Sequence, residues 1–288
     1  MVDFGRLLTA MVTPFNEELE VDFDKASHLV DHLINTGTDT IVVCGTTGES
    51  PTLSNDEKVA LFKHVVGVAA GRAKVIAGTG SNNTKASIEL TKKAEAVGVD
   101  GTLLVVPYYN KPSQEGLYQH FKAIAESTKL PGMLYNIPGR SAVNMSVETI
   151  LRLSEIPNIT SVKEASGDLS AVAMLVERSN EQFRVYSGDD KLALPSMSVG
   201  GYGVVSVASH VIGSEMKAMI EAFVEGKVNE AAALHRRLLP IFEGLFITSN
   251  PVPVKYALEQ KGIAVGSVRL PLVPLNEREA QFIETLIK

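Results

Sequence analysis

Eight short apolar runs recur along the chain, and their number and spacing constrain the fold more than any other feature. The runs are continuously apolar, as in Ile41-Val42-Val43 and Leu103-Leu104-Val105-Val106, which is typical of parallel strands buried on both faces. Helical segments separate them, and the repeat of roughly 25–35 residues is that of a barrel βα unit. The predicted strands are Leu8–Val12, Thr40–Cys44, Lys74–Ala77, Thr102–Val106, Gly132–Tyr135, Ile159–Lys163, Arg184–Ser187 and Gly203–Val207.

This alternation predicts an α/β fold, a closed TIM (β/α)8 barrel with a C-terminal helical appendage. An open doubly wound sheet usually has fewer strands and carries a Gly-x-Gly-x-x-Gly turn, whereas Gly78-Thr79-Gly80 lacks the third glycine. After Val207, four helical segments follow with no strand between them. We therefore predict a (β/α)8 barrel domain over residues 1–225 and a helical domain over residues 226–288 that packs on it.

Composition and charge exclude several function classes. The 288 residues carry a formal net charge of −6, so the chain has no overall positive charge for nucleic acid. No apolar run approaches the roughly 18 residues that a membrane span needs, and the start of the chain does not read as a signal peptide. The single cysteine, Cys44, rules out an internal disulfide, so we predict a cytoplasmic protein in which Cys44 is a buried strand residue.

The candidate chemistry lies at the C-terminal ends of the predicted strands, where barrel enzymes place their active sites. Lys163 ends the sixth strand and Tyr135 ends the fifth, one βα unit earlier, so the two side chains should be neighbours on adjacent strands. Desolvation lowers the pKa of a buried amine and frees it to attack a carbonyl. A phenol beside the amine can move the protons that such an attack requires.

The turn after the second strand supplies a second candidate site. Thr46 and Thr47 offer hydroxyls and backbone N–H groups between two glycines, a suitable cradle for a small carboxylate. Each candidate alone has an ordinary structural explanation, such as a solvated lysine or a packing tyrosine. Their joint placement at strand ends predicts a Schiff-base enzyme that acts on a 2-oxo acid.

Metal chemistry is the alternative route for aldol-type reactions in barrels. His28 and His32 have the i, i+4 spacing of a metal pair, but they belong to a predicted exterior helix with no supporting ligand cluster. We predict neither a metal nor an external cofactor.

Four motifs in the chain resemble the dihydrodipicolinate synthase (4-hydroxy-tetrahydrodipicolinate synthase) family, within the superfamily of Schiff-base pyruvate aldolases and N-acetylneuraminate lyase. The resemblance runs from about Gly5 to Pro274, with the motifs in the family's order. They are Gly45-Thr46-Thr47-Gly48-Glu49-Ser50, Pro107-Tyr108-Tyr109-Asn110-Lys111-Pro112, Tyr135-Asn136-Ile137-Pro138-Gly139-Arg140 and Val162-Lys163-Glu164.

This resemblance implies that Lys163 forms a Schiff base with pyruvate. The resulting enamine would condense with aspartate-4-semialdehyde, the committed step toward diaminopimelate and lysine. The resemblance also implies a proton relay of Thr46, Tyr135 and Tyr109. Tyr109 would come from the partner subunit of a tight dimer, and the family suggests a dimer of dimers.

Substrate-binding roles follow from the same resemblance. Thr47 would bind the pyruvate carboxylate, and Gly188 and Val205 would present backbone groups near the lysine. Arg140 would hold the carboxylate of the semialdehyde bidentately, whereas a neutral sugar-like chain gives a guanidinium less to do. N-acetylneuraminate lyase, sugar-acid aldolases and a non-catalytic 2-oxo-acid binder stay open as alternatives.

One part of the family pattern is altered. Lysine-inhibited members have an interface site whose Ser50, Asn82 and Tyr108 positions are kept here. Where those members carry two histidines and a glutamate, this chain has Asn55, Lys58 and Ala86. Losing a carboxylate and adding a cation disfavours a ligand with two amino groups, so we expect the site to be vestigial and inhibition by lysine to be weak or absent.

Overall fold

A computed structural model describes residues 2–288 and contains a closed barrel of eight parallel strands in chain order. The predicted TIM (β/α)8 barrel is therefore confirmed. Each predicted run contains a strand, and the first strand ends two residues earlier than predicted, at Ala10. The strands are β1 Leu7–Ala10, β2 Thr40–Val43, β3 Lys74–Gly78, β4 Gly101–Val105, β5 Gly132–Asn136, β6 Ile159–Glu164, β7 Arg184–Ser187 and β8 Gly203–Ser206.

Twelve α-helices lie within residues 2–288. Most begin where the sequence provides a side chain that caps the first turn. Ser54 and Glu57 form the capping box that their three-residue spacing predicts, and a cap of this kind is worth about 1 kcal/mol. The helices are α1 Phe23–Asn35, α2 Asn55–Ala69, α3 Thr84–Ala96, α4 Gln114–Ala125, α5 Pro138–Ser141, α6 Val147–Ser154, α7 Leu169–Arg178, α8 Ala193–Ser198, α9 Ser209–Val224, α10 Val228–Gly244, α11 Val252–Gln260 and α12 Glu277–Leu286. None of the helices in this described part of the chain is both long and apolar enough to cross a membrane.

The chain forms two compact units. The first contains residues 2–6 and Ile76–Val205, and its apolar core gathers side chains from strands and helices, including Leu134, Val162 and Phe121. The strands of this unit pair in parallel, and β6 is buried along its whole length. Polar side chains on β6 are therefore held inside the protein rather than in solvent.

The second unit contains Leu7–Val75 and Ser206–Lys288. Here α9 packs against β1 and α1, and α10 and α11 pack against α9. The C-terminal segment is helical with no strand in it, as its pattern predicts. The division of the chain at residue 225 stays a prediction.

Three helical elements differ from the sequence prediction. The helical pattern after Val207 predicts a start at Ser214, whereas α9 begins at Ser209, because Ile212 has non-helical φ and ψ and interrupts the periodicity. The apolar pattern of residues 191–199 predicts one helix, whereas the structure has a 3-10 turn, Asp190–Leu192, followed by the six-residue α8. The short α5 was not predicted, since one turn of helix is too short to show a period.

Candidate active site

Lys163 lies inside the first unit near the end of β6, with only 5% of its surface exposed. In the strand register it stands opposite Tyr135 of β5, and its Nζ lies 4.3 Å from the centroid of the Tyr135 ring. The predicted neighbourhood of these two side chains is confirmed. A buried amine therefore meets an aromatic face and a phenol at the strand ends.

Burial lowers the pKa of Lys163 to about 8, and the charge of Arg140 acts in the same direction. The negative charge of Asp190 opposes this shift. An amine with a pKa near 8 is neutral in about one molecule in ten at pH 7, against fewer than about one in a thousand for an ordinary lysine. Lys163 thus combines a fixed position with usable nucleophilicity.

Asp190→Asn is expected to shift the rising limb of the pH profile of kcat/KM for pyruvate to lower pH. Asp190 is buried, and its charge favours the ammonium form, so its removal lowers the pKa of Lys163 below its present value of about 8. The measurement is kcat/KM for pyruvate between pH 6 and pH 9, which reports groups of the free enzyme. Asp189→Asn, at the more exposed neighbouring position, is the control, and an equal shift there would contradict the assignment to Asp190.

The backbone after β7 explains why a glycine stands at position 188. A Cβ at Gly188 would lie 2.6 Å from Cβ of Ala165 and 3.1 Å from Cε of Lys163. The Gly188 N–H donates to the carbonyl of Glu164 at 2.8 Å and is therefore committed to the sheet. The other residue expected to present backbone groups, Val205, is buried within β8.

A polar network on the opposite side of β5 and β6 fixes the strands next to the lysine. Successive residues of a strand point to opposite faces, so Asn136 and Glu164 lie behind Tyr135 and Lys163. Asn136 Nδ2 donates to Glu164 Oε2 at 2.9 Å, and Ser166 N donates to Glu164 Oε1 at 2.6 Å. Neither residue is predicted as a site residue, although Asn136 and Glu164 are 28 residues apart, the same spacing as Tyr135 and Lys163.

Arg140 is exposed on α5, the single helical turn that follows β5. Pro138 starts this turn, and its carbonyl accepts from the N–H of Ala142 at 3.0 Å. The Ser141 hydroxyl donates to the carbonyls of Ile137 and Val143. These bonds hold exposed Arg140 on a short rigid element. The positive charge of Arg140 acts on Lys163, where it helps to lower the pKa of the amine.

Tyr109 is almost fully exposed, with 89% of its surface accessible. Its φ of 74° lies in the left-handed region that is costly for residues other than glycine. Asn82 Nδ2 donates to the Tyr108 carbonyl, and Asn110 Nδ2 donates to the Asn82 carbonyl. The segment is thus held in a turn that leaves the Tyr109 phenol exposed on its own chain.

The second unit contains Thr46 and Thr47 in the turn of residues 45–50 that follows β2. Thr46 is half-buried, and Thr47 is buried. Asn250 Nδ2 donates to Thr47 Oγ1 at 2.9 Å, so the Thr47 proton is free to be donated elsewhere. Asn250 is not predictable from the sequence, because nothing local marks a contact between residues 203 positions apart.

Cys44 precedes the turn that carries the two threonines, and Ser50 ends it. Ser50 begins a 3-10 turn, Ser50–Thr52, directly after the threonines. Cys44 is buried as predicted, but β2 ends one residue before it, at Val43. Burial raises the pKa of its thiol to about 12, which disfavours the reactive thiolate. Across residues 2–288, no three side chains of the His, Cys, Asp and Glu types are grouped to hold a metal ion.

The profile of the dihydrodipicolinate synthetase family matches residues 3–288. 4-Hydroxy-tetrahydrodipicolinate synthase 1 of Halalkalibacterium halodurans is 62% identical over 286 residues, 99% of this chain and 97% of that protein.

Two solved structures are also similar throughout. Dihydrodipicolinate synthase DapA-2 of Bacillus anthracis has 58% identity and a TM-score of 0.98, with 100% of this chain and 98% of that one covered. The synthase of Cyanidioschyzon merolae, solved with lysine bound, has 50% identity and a TM-score of 0.97, with 98% and 97% covered.

Proposed function

The chain belongs to the dihydrodipicolinate synthetase family, and on that premise we propose that it is a 4-hydroxy-tetrahydrodipicolinate synthase. Such a lyase condenses pyruvate with L-aspartate-4-semialdehyde in the first committed step of diaminopimelate and lysine biosynthesis. The observation that carries the proposal is Lys163, a buried amine with a pKa of about 8 that contacts Tyr135. This is the form of lysine that Schiff-base chemistry needs.

The reaction begins when the neutral Lys163 amine attacks the C2 carbonyl of pyruvate. The carbinolamine loses water to give an iminium ion, and loss of a C3 proton then gives the enamine. The enamine carbon bonds to the aldehyde carbon of the semialdehyde, whose oxygen takes up a proton. Attack of the substrate's own amino group on C2 closes the ring and releases Lys163. Lys163 forms the only covalent intermediate, so the reaction needs no external cofactor.

Proton transfers accompany each of these steps, and we assign them to Tyr135, Thr46 and Tyr109. Tyr135 lies against the amine, where its hydroxyl can supply and remove protons. Tyr109 presents its phenol outward from its own chain, which suits action in a partner subunit. A Tyr109 that acts in trans requires at least a dimer, and a mass of one chain by light scattering would contradict that role. In keeping with the family, we propose a dimer of dimers, located in the cytoplasm.

The pyruvate carboxylate is assigned to Thr47, with Gly188 and Val205 contributing backbone groups near the amine. Because Thr47 Oγ1 accepts from Asn250, its proton is available to a carboxylate, which can only accept.

Ser50, Asn82 and Tyr108 are proposed as remnants of a lysine-binding site, and we expect weak or absent inhibition of this chain by lysine. Inhibition at sub-millimolar lysine would contradict that expectation.

Arg140→Met is expected to lower kcat/KM for aspartate-4-semialdehyde about 10- to 100-fold, because a charged, bidentate carboxylate contact is lost. The KM for pyruvate should change much less. Steady-state kinetics with each substrate varied in turn measures both values. Arg152→Met, at an exposed arginine paired with Glu115, is the matched control and should leave both values unchanged.

The decisive test of the proposed function compares second substrates. Pyruvate and aspartate-4-semialdehyde should condense far faster than pyruvate and N-acetylmannosamine. Equal rates with the two aldehydes would favour a neuraminate-type lyase. Pyruvate binding without turnover of either aldehyde would favour a binding protein.

A further inference from the structure

A buried lysine outside the proposed reaction centre contacts the turn that carries the two threonines. Lys255 of α11 is only 2% exposed, and its Nζ lies 2.8 Å from Oε1 of Glu49. The same ammonium donates to the Ser267 carbonyl at 2.7 Å and lies 4.2 Å from the centroid of the Phe15 ring. The mechanism above assigns no role to this ion pair.

Stability is a poor reason for such a pair. The free energy lost when two charges are removed from water often exceeds the free energy gained from their attraction. Apolar residues of similar size in their place frequently stabilise a protein better. Burial lowers the pKa of Lys255 to about 8 even though the Glu49 carboxylate acts to raise it. The carboxylate therefore does not restore the ordinary pKa of this lysine, whose ammonium form is also disfavoured by the charge of Arg269, and a reason for the pair other than stability must be sought.

Glu49 has a conformation that requires external support. Its φ of 55° lies in the left-handed region, while its N–H closes the turn on the carbonyl of Thr46 at 3.1 Å. Its second carboxylate oxygen accepts from the backbone N–H of Arg269 at 2.9 Å. The Arg269 side chain donates to the carbonyls of Leu19 and Thr52 and to the carboxylate of Glu57.

The segment that begins at Asn250 therefore reaches the turn of residues 45–50 at two points. Asn250 donates to the hydroxyl of Thr47, and Lys255 pairs with the carboxylate of Glu49 two residues further on. Because the two contacts come from one short stretch of chain, the Thr47 hydroxyl and the Glu49 carboxylate are fixed relative to each other.

We propose that Lys255 is a positioning residue: its buried ion pair with Glu49 holds the turn in the conformation in which Thr46 and Thr47 engage pyruvate. The proposal rests on the proposed function, because it assumes that these threonines act on the substrate. Lys255 itself does not contact substrate in this scheme.

The test compares Lys255→Met, Glu49→Gln and the double variant that carries both changes. Lys255→Met should raise the KM for pyruvate at least 10-fold and lower the melting temperature, since it leaves a buried carboxylate unpaired. The double variant removes both charges, so its melting temperature should recover toward that of the wild type. Its KM for pyruvate should stay raised, because the ammonium that fixes the turn is still missing.

Lys217→Met is the matched control. Lys217 pairs with Asp39 at 2.7 Å, and Asp39 precedes β2 at the end of that strand away from the threonines. Its loss should leave the KM for pyruvate unchanged.

A double variant with the wild-type KM would overturn the proposal, as would a double variant that does not fold, since the pair would then serve folding alone. The proposed function is checked separately by borohydride trapping of pyruvate on the wild-type chain. If the wild type traps no pyruvate, the proposed function fails; if it traps pyruvate and the double variant keeps a normal KM, only the positioning role fails.

Discussion

Replacing Lys163 with alanine is expected to abolish the borohydride-stable adduct that the wild-type chain should form with pyruvate. The amine is the only group in the proposed scheme that bonds to the substrate. Without it, kcat should fall about 10³-fold or more, with residual activity arising from the rest of the site. Intact-mass spectrometry before and after reduction measures the adduct, and peptide mapping locates it.

The control for this experiment is Lys191→Ala, which removes an exposed lysine that lies beyond the end of β7. This variant should keep both the adduct and the activity. An adduct that persists in Lys163→Ala, or a wild-type chain that gains no mass, would remove Lys163 from the mechanism. Loss of trapping with unchanged melting temperature would separate the chemical role of the amine from folding.

Much of the fold could be predicted because its signals are local. Strands buried on both faces must be continuously apolar, and helix starts need capping side chains, so both leave marks within a few residues of sequence. The neighbourhood of Tyr135 and Lys163 followed from their spacing, since each βα unit of a barrel returns the chain to the same height on the next strand.

The contacts that adjust the candidate site could not be predicted in the same way. Lys255 lies on a helix, where a lysine is ordinarily solvated, and only tertiary packing buries it against Glu49. Asp190 likewise shows no local sign that its charge acts on Lys163. Each of these effects depends on segments that are distant in sequence, for which periodicity and capping provide no signal.

Tyr135→Phe is expected to lower kcat about 10²- to 10⁴-fold, the contribution typical of a positioned general acid or base. The change removes one hydroxyl and keeps the ring that lies 4.3 Å from Nζ of Lys163. The amine should therefore still form an adduct with pyruvate, but slowly. Stopped-flow measurement of Schiff-base formation, together with steady-state kcat, tests this separation of nucleophile and proton carrier.

Tyr186→Phe is a closely matched control, because Tyr186 of β7 stands opposite Lys163 on the other side of β6. Its hydroxyl donates to the Gly5 carbonyl at 3.0 Å, so its removal should cost about 1 kcal/mol of stability and leave kcat within about threefold. Equal losses of kcat in both variants would indicate that packing around the lysine, rather than proton transfer, limits the rate. A large loss in Tyr135→Phe alone would assign the proton transfers to the hydroxyl of Tyr135, because both variants keep an aromatic ring on a strand beside Lys163.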